Sequence, residues 1–203
     1  MFKINFNCCG FTYKRICVII TAMNKEAIGI IGTIGSGKDA AGDYISGKLD
    51  IPSFQISSPL KKICAETGIE PTRENLIALG TKLADERGDG YLAEYIIQHM
   101  PDRAIITGMR QLGQVAVLKS LSRLTLISID ADPSIRFERV KNNNKLGEAN
   151  TIDEFIRREK AENSTPNAQR LFECMKLADY YLLNEGSLED LYAKLDKILA
   201  LVG

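Results

Sequence analysis

The chain has 203 residues, of which 45% are hydrophobic, and this length fits one domain, or one domain with small insertions. Its 26 basic and 26 acidic residues cancel to a net charge of zero, so composition offers no electrostatic basis for binding nucleic acid or an anionic membrane. The five cysteines lack C-x-x-C spacing, which argues against a zinc or disulfide framework and favours free thiols in the cytoplasm.

Residues 1–22 come before the first recognisable strand and combine basic residues with a short apolar run at 16–22. The run is too short to span a membrane. It lies at the lower limit for a secretory signal, which stays open as an alternative. We expect residues 1–22 to form an extension outside the core, and residues 23–203 to form the folded domain.

An apolar run at residues 27–31 predicts the first strand, and residues 32–39 after it read GTIGSGKD. Two glycines and a lysine in this stretch satisfy the G-x-x-x-x-G-K pattern of a phosphate-binding loop. Backbone N–H groups can approach polyphosphate oxygens there, because glycines carry no side chain and accept positive φ. The following helix adds the positive end of its dipole. The residues predicted to bind the cofactor ATP in this loop are Gly32, Thr33, Ile34, Gly35, Ser36, Gly37, Lys38, Asp39 and Ala40.

The residue after Lys38 departs from the usual pattern, in which a Ser or Thr hydroxyl ligates Mg²⁺. Asp39 stands there, and its carboxylate can ligate Mg²⁺ directly or through water. The alternative is that Asp39 only caps the helix, since acidic residues are stabilised near helix N-termini. We expect Asp39 to contact Mg²⁺.

The rest of the chain alternates between helical patterns and short apolar runs. Helices are predicted at residues 39–48, 59–64, 72–86, 91–99, 112–121, 133–141, 153–162, 167–177 and 188–201, and strands at 27–31, 53–57, 104–107, 124–129 and 180–183. This alternation predicts an α/β fold in three layers, with a five-stranded parallel sheet and helices on both faces. Ligands of such sheets bind beyond the carboxyl ends of the strands.

Several basic residues are placed where they could bind phosphate. Arg110 follows the third predicted strand, and its planar guanidinium could hold an acceptor phosphate through two hydrogen bonds. Lys61, Arg73 and Arg87 lie in residues 58–100, where a helical insertion that binds the acceptor would be located. We predict that Lys61, Arg87 and Arg110 contact the acceptor.

Residues 136–165 combine two helical patterns with a polar stretch at 142–147, which predicts a small helical lid. Closing a lid excludes water and can bring arginines to a transferring phosphoryl group. For each arginine the alternative is a solvated amphipathic helix. The residues predicted to be catalytic are Lys38, Arg110, Arg136, Arg139 and Arg157.

From about residue 25 to 201 the chain resembles the P-loop kinases of small molecules, in the nucleoside monophosphate kinase superfamily. The run GSGKD looks like that of deoxynucleoside monophosphate kinases and their phosphomevalonate kinase relatives, and residues 58–61 (SPLK) match their Pro-Leu-Lys signature. Residues 177–186 are similar to the closing segment of dephospho-CoA kinases and adenylate-kinase-related proteins. This likeness implies adenine contacts at Asn184 and Gly186.

The chain departs from these kinases after the third strand. Gly108 stands where they carry the acid of an Asp-x-Arg motif, so the Walker-B-type carboxylate is not visible there. Asp39, Asp130 and Asp132 remain alternatives for it. The acidic pair that dephospho-CoA kinases carry after strand two is also missing, which disfavours that acceptor.

The resemblance implies a kinase that uses ATP and Mg²⁺ to phosphorylate a small phosphorylated acceptor. A (deoxy)nucleoside monophosphate is the preferred acceptor, and dephospho-CoA is the alternative. A nucleotide-binding regulator without kinase activity is a second hypothesis, because the carboxylate after strand three is missing. An NTPase that acts on a macromolecule is a third, which the neutral charge disfavours. We expect a monomer or homodimer with no nucleic-acid or membrane partner.

Overall fold

The computed structural model describes residues 24–143, 149–163 and 170–202. Its centre is a five-stranded sheet in the order β2-β3-β1-β4-β5, and every strand pair is parallel. The strands are β1 Glu26–Gly32, β2 Ser53–Gln55, β3 Arg103–Thr107, β4 Arg123–Asp130 and β5 Tyr180–Leu183. The helices are α1 Lys38–Leu49, α2 Ser58–Thr67, α3 Arg73–Arg87, α4 Tyr91–His99, α5 Leu112–Leu118, α6 Pro133–Asn142, α7 Ile152–Glu162, α8 Leu171–Met175 and α9 Leu188–Val202.

The central strand β1 is paired on both sides, which brings three strand ends together. Ile30 lies opposite Thr107 of β3, and Gly32 lies opposite Ile129 of β4. The loops that follow β1, β3 and β4 therefore leave the same edge of the sheet. This is the edge at which parallel sheets of this kind bind their ligands.

Helices cover both faces of the sheet, as predicted for strands that are apolar throughout. On one face, buried residues of α1 and α9 pack against the sheet around Ile30 and Ile127. On the other face, buried residues of α4, α5 and α8 pack around Ile106 and Leu126. Burying each such side chain contributes about 1.5–3 kcal/mol relative to leaving it exposed. The predicted three-layer α/β fold is confirmed.

A separate apolar cluster joins α6 to α7, within the predicted lid. Phe137 and Val140 of α6 pack with Ala149 and Phe155, and the two phenyl rings meet edge to face at 5.8 Å. Residues 144–148 and 164–165 of that prediction lie outside the described residues, as do the predicted extension at 1–22 and residues 167–169 of the predicted eighth helix. The domain boundaries stay predictions.

Several element ends differ from the sequence prediction, and those of β2 and α5 have a visible cause. Strand β2 stops at Gln55, because the chain turns at Ile56 and Ser57 into α2, which carries Pro59 in its first turn. Helix α5 ends at Leu118, three residues early; the hydroxyl of Ser120 donates to the Val117 carbonyl oxygen in the turn that follows. Among the described helices, none has the length and apolar character needed to cross a membrane.

Candidate functional site

The loop between β1 and α1 has the backbone shape of a phosphate cradle. Gly35 and Gly37 adopt φ values of 77° and 94°, which strain any residue with an L side chain. Space is also lacking. A Cβ on Gly37 would lie 2.4 Å from Asn184 Nδ2, and one on Gly35 would lie 2.7 Å from the Arg136 carbonyl oxygen. Both positions therefore require glycine, and the loop fits the close approach of an anion.

The ends of β4 and β5 hold this loop from behind. The buried Thr33 hydroxyl donates to Asp130 Oδ1 at 2.6 Å. The buried Asn184 donates through Nδ2 to the Ser36 carbonyl oxygen at 2.8 Å. We predicted an adenine contact for Asn184, but its amide N–H group is directed to the loop backbone. Its placement favours support of the loop over contact with a base.

Lys38 and Asp39 open α1 and both line a neighbouring cleft. Lys38 Nζ lies 3.8 Å from Asp39 Oδ2, and the Asp39 side chain is 53% exposed. The described residues contain no group of three or more His, Cys, Asp or Glu side chains that could hold a metal ion alone. Mg²⁺ usually binds through one or two carboxylates together with substrate phosphates. The position of Asp39 beside the phosphate loop fits this mode of Mg²⁺ coordination.

The other two carboxylates considered for the metal are engaged elsewhere. Asp130 accepts hydrogen bonds from the Thr33 hydroxyl and the Ala131 N–H, and it lies 3.5 Å from Arg136 Nε. Asp132 caps α6, and its hydrogen bonds from Ser134 lower the pKa of the Asp132 carboxyl. Of the three candidates, only Asp39 lines the cleft.

The cleft beside the loop has a volume of about 770 Å³. It lies between the start of α1, the β2–α2 segment, α3, the end of β3 and the end of α7. Its polar and charged lining residues are Lys38, Asp39, Gln55, Ser57, Lys61, Arg73, Thr81, Thr107, Arg110, Gln111, Gln114 and Glu162. The remaining lining is largely aliphatic. A volume of this size suits a small organic ligand.

Of the three residues predicted to contact the acceptor, Lys61 and Arg110 line this cleft, and Arg87 does not. Arg87 lies at the far end of α3, exposed, with its guanidinium 5.3 Å from the centre of the Tyr91 ring. Arg73 begins the same helix and does line the cleft. The direction of α3 thus places its first residue, and not its last, at the cleft, which favours Arg73 over the predicted Arg87.

Arg73 and Arg110 meet at Glu162. The Arg73 guanidinium donates three hydrogen bonds of 2.7–3.0 Å to the Glu162 carboxylate. Arg110 Nη1 lies 3.9 Å from Glu162 Oε2. Burial first, and then the charge of Arg73, lower the pKa of Arg110, whereas Glu162 opposes this shift. The guanidinium stays charged at neutral pH, so two positive groups share one carboxylate in the cleft wall.

The backbone around Arg110 is fixed by its neighbours. The N–H of Arg110 donates to Gln114 Oε1 at 2.8 Å, and its carbonyl oxygen accepts from the Arg170 N–H at 2.7 Å. Gly108 precedes it with φ of 80°. This left-handed conformation gives a physical reason for glycine at the position where the resembling kinases carry an acid.

The predicted lid arginines fall into three different environments. Arg136 is 3% exposed, and it binds Glu159 through contacts of 2.6 and 2.9 Å and the Ala131 carbonyl oxygen at 3.0 Å. The guanidinium of Arg136 is thus bound inside the protein, which favours a structural role over the predicted catalytic one. Arg157 is exposed on α7, bonded to the Asp153 carbonyl oxygen, and does not line the cleft.

Arg139 links α6 to the segment after β5. Its Nη1 donates to the Asn184 carbonyl oxygen at 2.9 Å, and its Nη2 donates to the Gly186 carbonyl oxygen at 3.1 Å. The sequence grouped Arg139 with the catalytic residues and Gly186 with the nucleotide-binding residues. The structure brings these two together, beside the phosphate loop that Asn184 contacts.

Sequence reasoning missed Glu162, Gln55 and Gln114 as cleft residues, and it assigned no role to Arg73. The Gln111 and Gln114 side chains form a capping box at the start of α5, and their three-residue spacing was a readable signal. The meeting of Arg73 with Glu162 joins residues 89 positions apart. No local pattern in a single sequence encodes such a contact.

Curated relatives resemble the chain over most of its length. It is 32% identical over 185 residues to a UPF0200 protein of Hyperthermus butylicus, covering 89% of this chain and 97% of that protein. It is 30% identical over 178 residues to a UPF0200 protein of Methanocaldococcus jannaschii, covering 85% of this chain and 88% of that one. No protein-family model matches the chain.

Solved structures share its fold. Shikimate kinase from Bacteroides thetaiotaomicron matches with a TM-score of 0.56 at 15% identity, covering 86% of this chain and 98% of that one. Shikimate kinase from Acinetobacter baumannii, in complex with shikimate, matches with a TM-score of 0.54 at 15% identity, covering 90% and 97%. The fold is therefore that of the P-loop kinases.

Proposed function

The chain belongs to the UPF0200 family, and we propose that it is an ATP-dependent kinase that phosphorylates a small phosphorylated acceptor. The favoured acceptor is a (deoxy)nucleoside monophosphate. The observation that carries this proposal is one juxtaposition: a glycine-lined phosphate loop opens directly onto a cleft of about 770 Å³ that contains two arginines.

The donor half of the proposed site is the phosphate loop. Its backbone N–H groups and Lys38 would hold the phosphates of ATP, and Asp39 would ligate Mg²⁺, which supplies charge neutralisation at the transferring group. Thr33, Asn184 and Asp130 would keep the loop in shape through the hydrogen bonds described above. Arg139 would fix the segment at Gly186, where the resembling kinases contact adenine.

The acceptor half is the arginine-lined part of the cleft. Arg73 and Arg110 would bind the acceptor's phosphate, and Lys61 would add a third positive charge. The aliphatic residues of α2 and α3 that line the cleft would exclude water around the rest of the acceptor. Catalysis of phosphoryl transfer depends mainly on positioning and charge neutralisation, and both halves of this site are suited to that work.

The test is acceptor-dependent release of ADP. Purified protein with Mg·ATP should release ADP with one member of a panel of nucleoside monophosphates, deoxynucleoside monophosphates and dephospho-CoA. The Lys38→Ala variant should lose nearly all of this activity and keep its circular dichroism spectrum, since a contact made in the transition state is removed. Binding of ATP without turnover of any acceptor would instead support a nucleotide-binding regulator.

A further inference from the structure

The carboxylate of Glu162 is adjacent to both arginines that we propose bind the acceptor, Arg73 and Arg110. Glu162 is the last residue of α7, and it lines the cleft together with Arg73 and Arg110. Its side chain is 20% exposed, so the ion pair is partly shielded from water. The Glu162 carboxylate therefore stands in the position at which an acceptor's anionic group would bind.

We propose that Glu162 is a specificity-determining residue, which competes with the acceptor for Arg73 and Arg110 so that phosphate monoesters bind and carboxylates are rejected. The inference rests on the proposed function, because it concerns the acceptor half of the same site. It concerns which anions can bind in the acceptor half of the site.

This selectivity follows from comparing the competing anions. A carboxylate ligand brings the same single charge and two oxygens that Glu162 already supplies, and it also loses translational freedom on binding. Glu162 is tethered to α7 and loses none, so the exchange gives a carboxylate ligand no advantage. A phosphate monoester carries about −1.5 to −2 charges at pH 7 and three acceptor oxygens. It can therefore bind both guanidinium groups where Glu162 binds one closely.

Glu162 contacts Arg73 more closely than it contacts Arg110. Its bonds to Arg73 are short, whereas the 3.9 Å separation from Arg110 exceeds hydrogen-bond reach. Burial and the neighbouring charge of Arg73 lower the pKa of Arg110, so a ligand that brings more negative charge to this pair of arginines is favoured. A phosphate dianion brings two negative charges to the arginines. A carboxylate ligand held by Arg110 alone brings only one.

A purely structural ion pair between α3 and α7 predicts something different. Removing the Glu162 charge would then lower the free energy of unfolding and leave anion affinity unchanged. Competition predicts that the same change raises anion affinity and relaxes the selectivity. Ligand affinity therefore separates the two explanations.

The experiment titrates inorganic phosphate and acetate into the full chain by calorimetry, with Mg·ADP at saturation so that the phosphate loop is occupied. The variants are wild type, Glu162→Gln and Glu86→Gln. The last removes an exposed carboxylate paired with Lys82 on α3 and serves as the control. We expect Glu162→Gln to bind phosphate on the order of tenfold more tightly and to bind acetate measurably. The control should match wild type.

Equal phosphate affinities in wild type and Glu162→Gln would overturn the inference, as would wild type binding acetate as tightly as phosphate. If Glu162→Gln does not fold, Glu162→Asp withdraws the carboxylate by one methylene and should shift phosphate affinity in the same direction. Arg73→Ala should abolish the gain. Failure of Mg·ADP to bind would reject the proposed function alone, because phosphate binding that depends on Arg73 would still report on Glu162.

Discussion

The pair formed by Arg136 and Glu159 is expected to stabilise the fold, and this can be tested by removing one partner. The two side chains are 3% and 9% exposed, and they meet in a two-pronged contact of 2.6 and 2.9 Å. Arg136 also donates to the Ala131 carbonyl oxygen at 3.0 Å and lies 5.5 Å from the centre of the Phe155 ring. Arg136→Ala would leave the Glu159 carboxylate buried without its partner.

Breaking a buried pair in this way costs about 3–5 kcal/mol. For a protein of about 150–250 residues, this corresponds to a fall in Tm of about 6–20 °C. The assay is urea unfolding followed by circular dichroism, because the chain has no tryptophan to report by fluorescence. Arg157→Ala, an exposed arginine on the same helix as Glu159, is the control and should change stability by no more than about 0.5 kcal/mol.

A double variant, Arg136→Met with Glu159→Leu, separates the ion pair from the volume that it fills. Apolar residues of similar size often replace buried ion pairs at little cost, so this variant should recover most of the lost stability. If Arg136→Ala cost less than about 1 kcal/mol while abolishing phosphoryl transfer, Arg136 would be acting on the reaction, and the structural role inferred for it would be refuted.

Three further outcomes are expected. Gly37→Ala should weaken binding of Mg·ADP in calorimetry, because its Cβ would lie 2.4 Å from Asn184 Nδ2 at a φ of 94°; unchanged affinity would contradict the cradle. Thr33→Val should lower the free energy of unfolding by about 1–3 kcal/mol, since Asp130 loses the donor that lies 2.6 Å away; a neutral effect would mean that water replaces this bond. Burial raises the pKa of the Cys174 thiol to about 12. Peptide mapping after alkylation at pH 8 should therefore find Cys174 unmodified in native protein and modified in urea. Rapid labelling of native protein would show that α8 opens.

The sequence was sufficient to predict the sheet and the glycine-rich loop between β1 and α1, because both are encoded locally. The apolar run of β1 followed by GTIGSGKD leaves few alternatives, and the conformations of Gly35 and Gly37 agree with it. Helix α3 carried a readable start, because the Thr72 hydroxyl caps it by accepting from the Asn75 N–H. These features depend on neighbours within a few residues in the chain.

The positions of the arginines around the cleft were predicted less well, because they depend on contacts between distant segments. Arg73 and Arg87 are the same residue type and lie on the same helix. Only the direction of α3 relative to the sheet distinguishes them. Arg136 is predicted from sequence as a catalytic lid arginine, since nothing local shows that Glu159 will face it across the α6–α7 contact. Contacts between distant segments, rather than any motif, decide where these side chains lie.

Helix α7 carries two acidic residues that lie one turn apart and serve opposite ends of the site. Glu159 binds Arg136, whose Nη1 also donates to the Ile34 carbonyl oxygen in the loop after β1 at 3.3 Å, and Glu162 binds Arg73 beside the cleft. This one helix therefore contacts residues of both proposed subsites. Any displacement of α7 that accompanies loading of one subsite would be transmitted to the other, so occupancy of the two should be thermodynamically coupled.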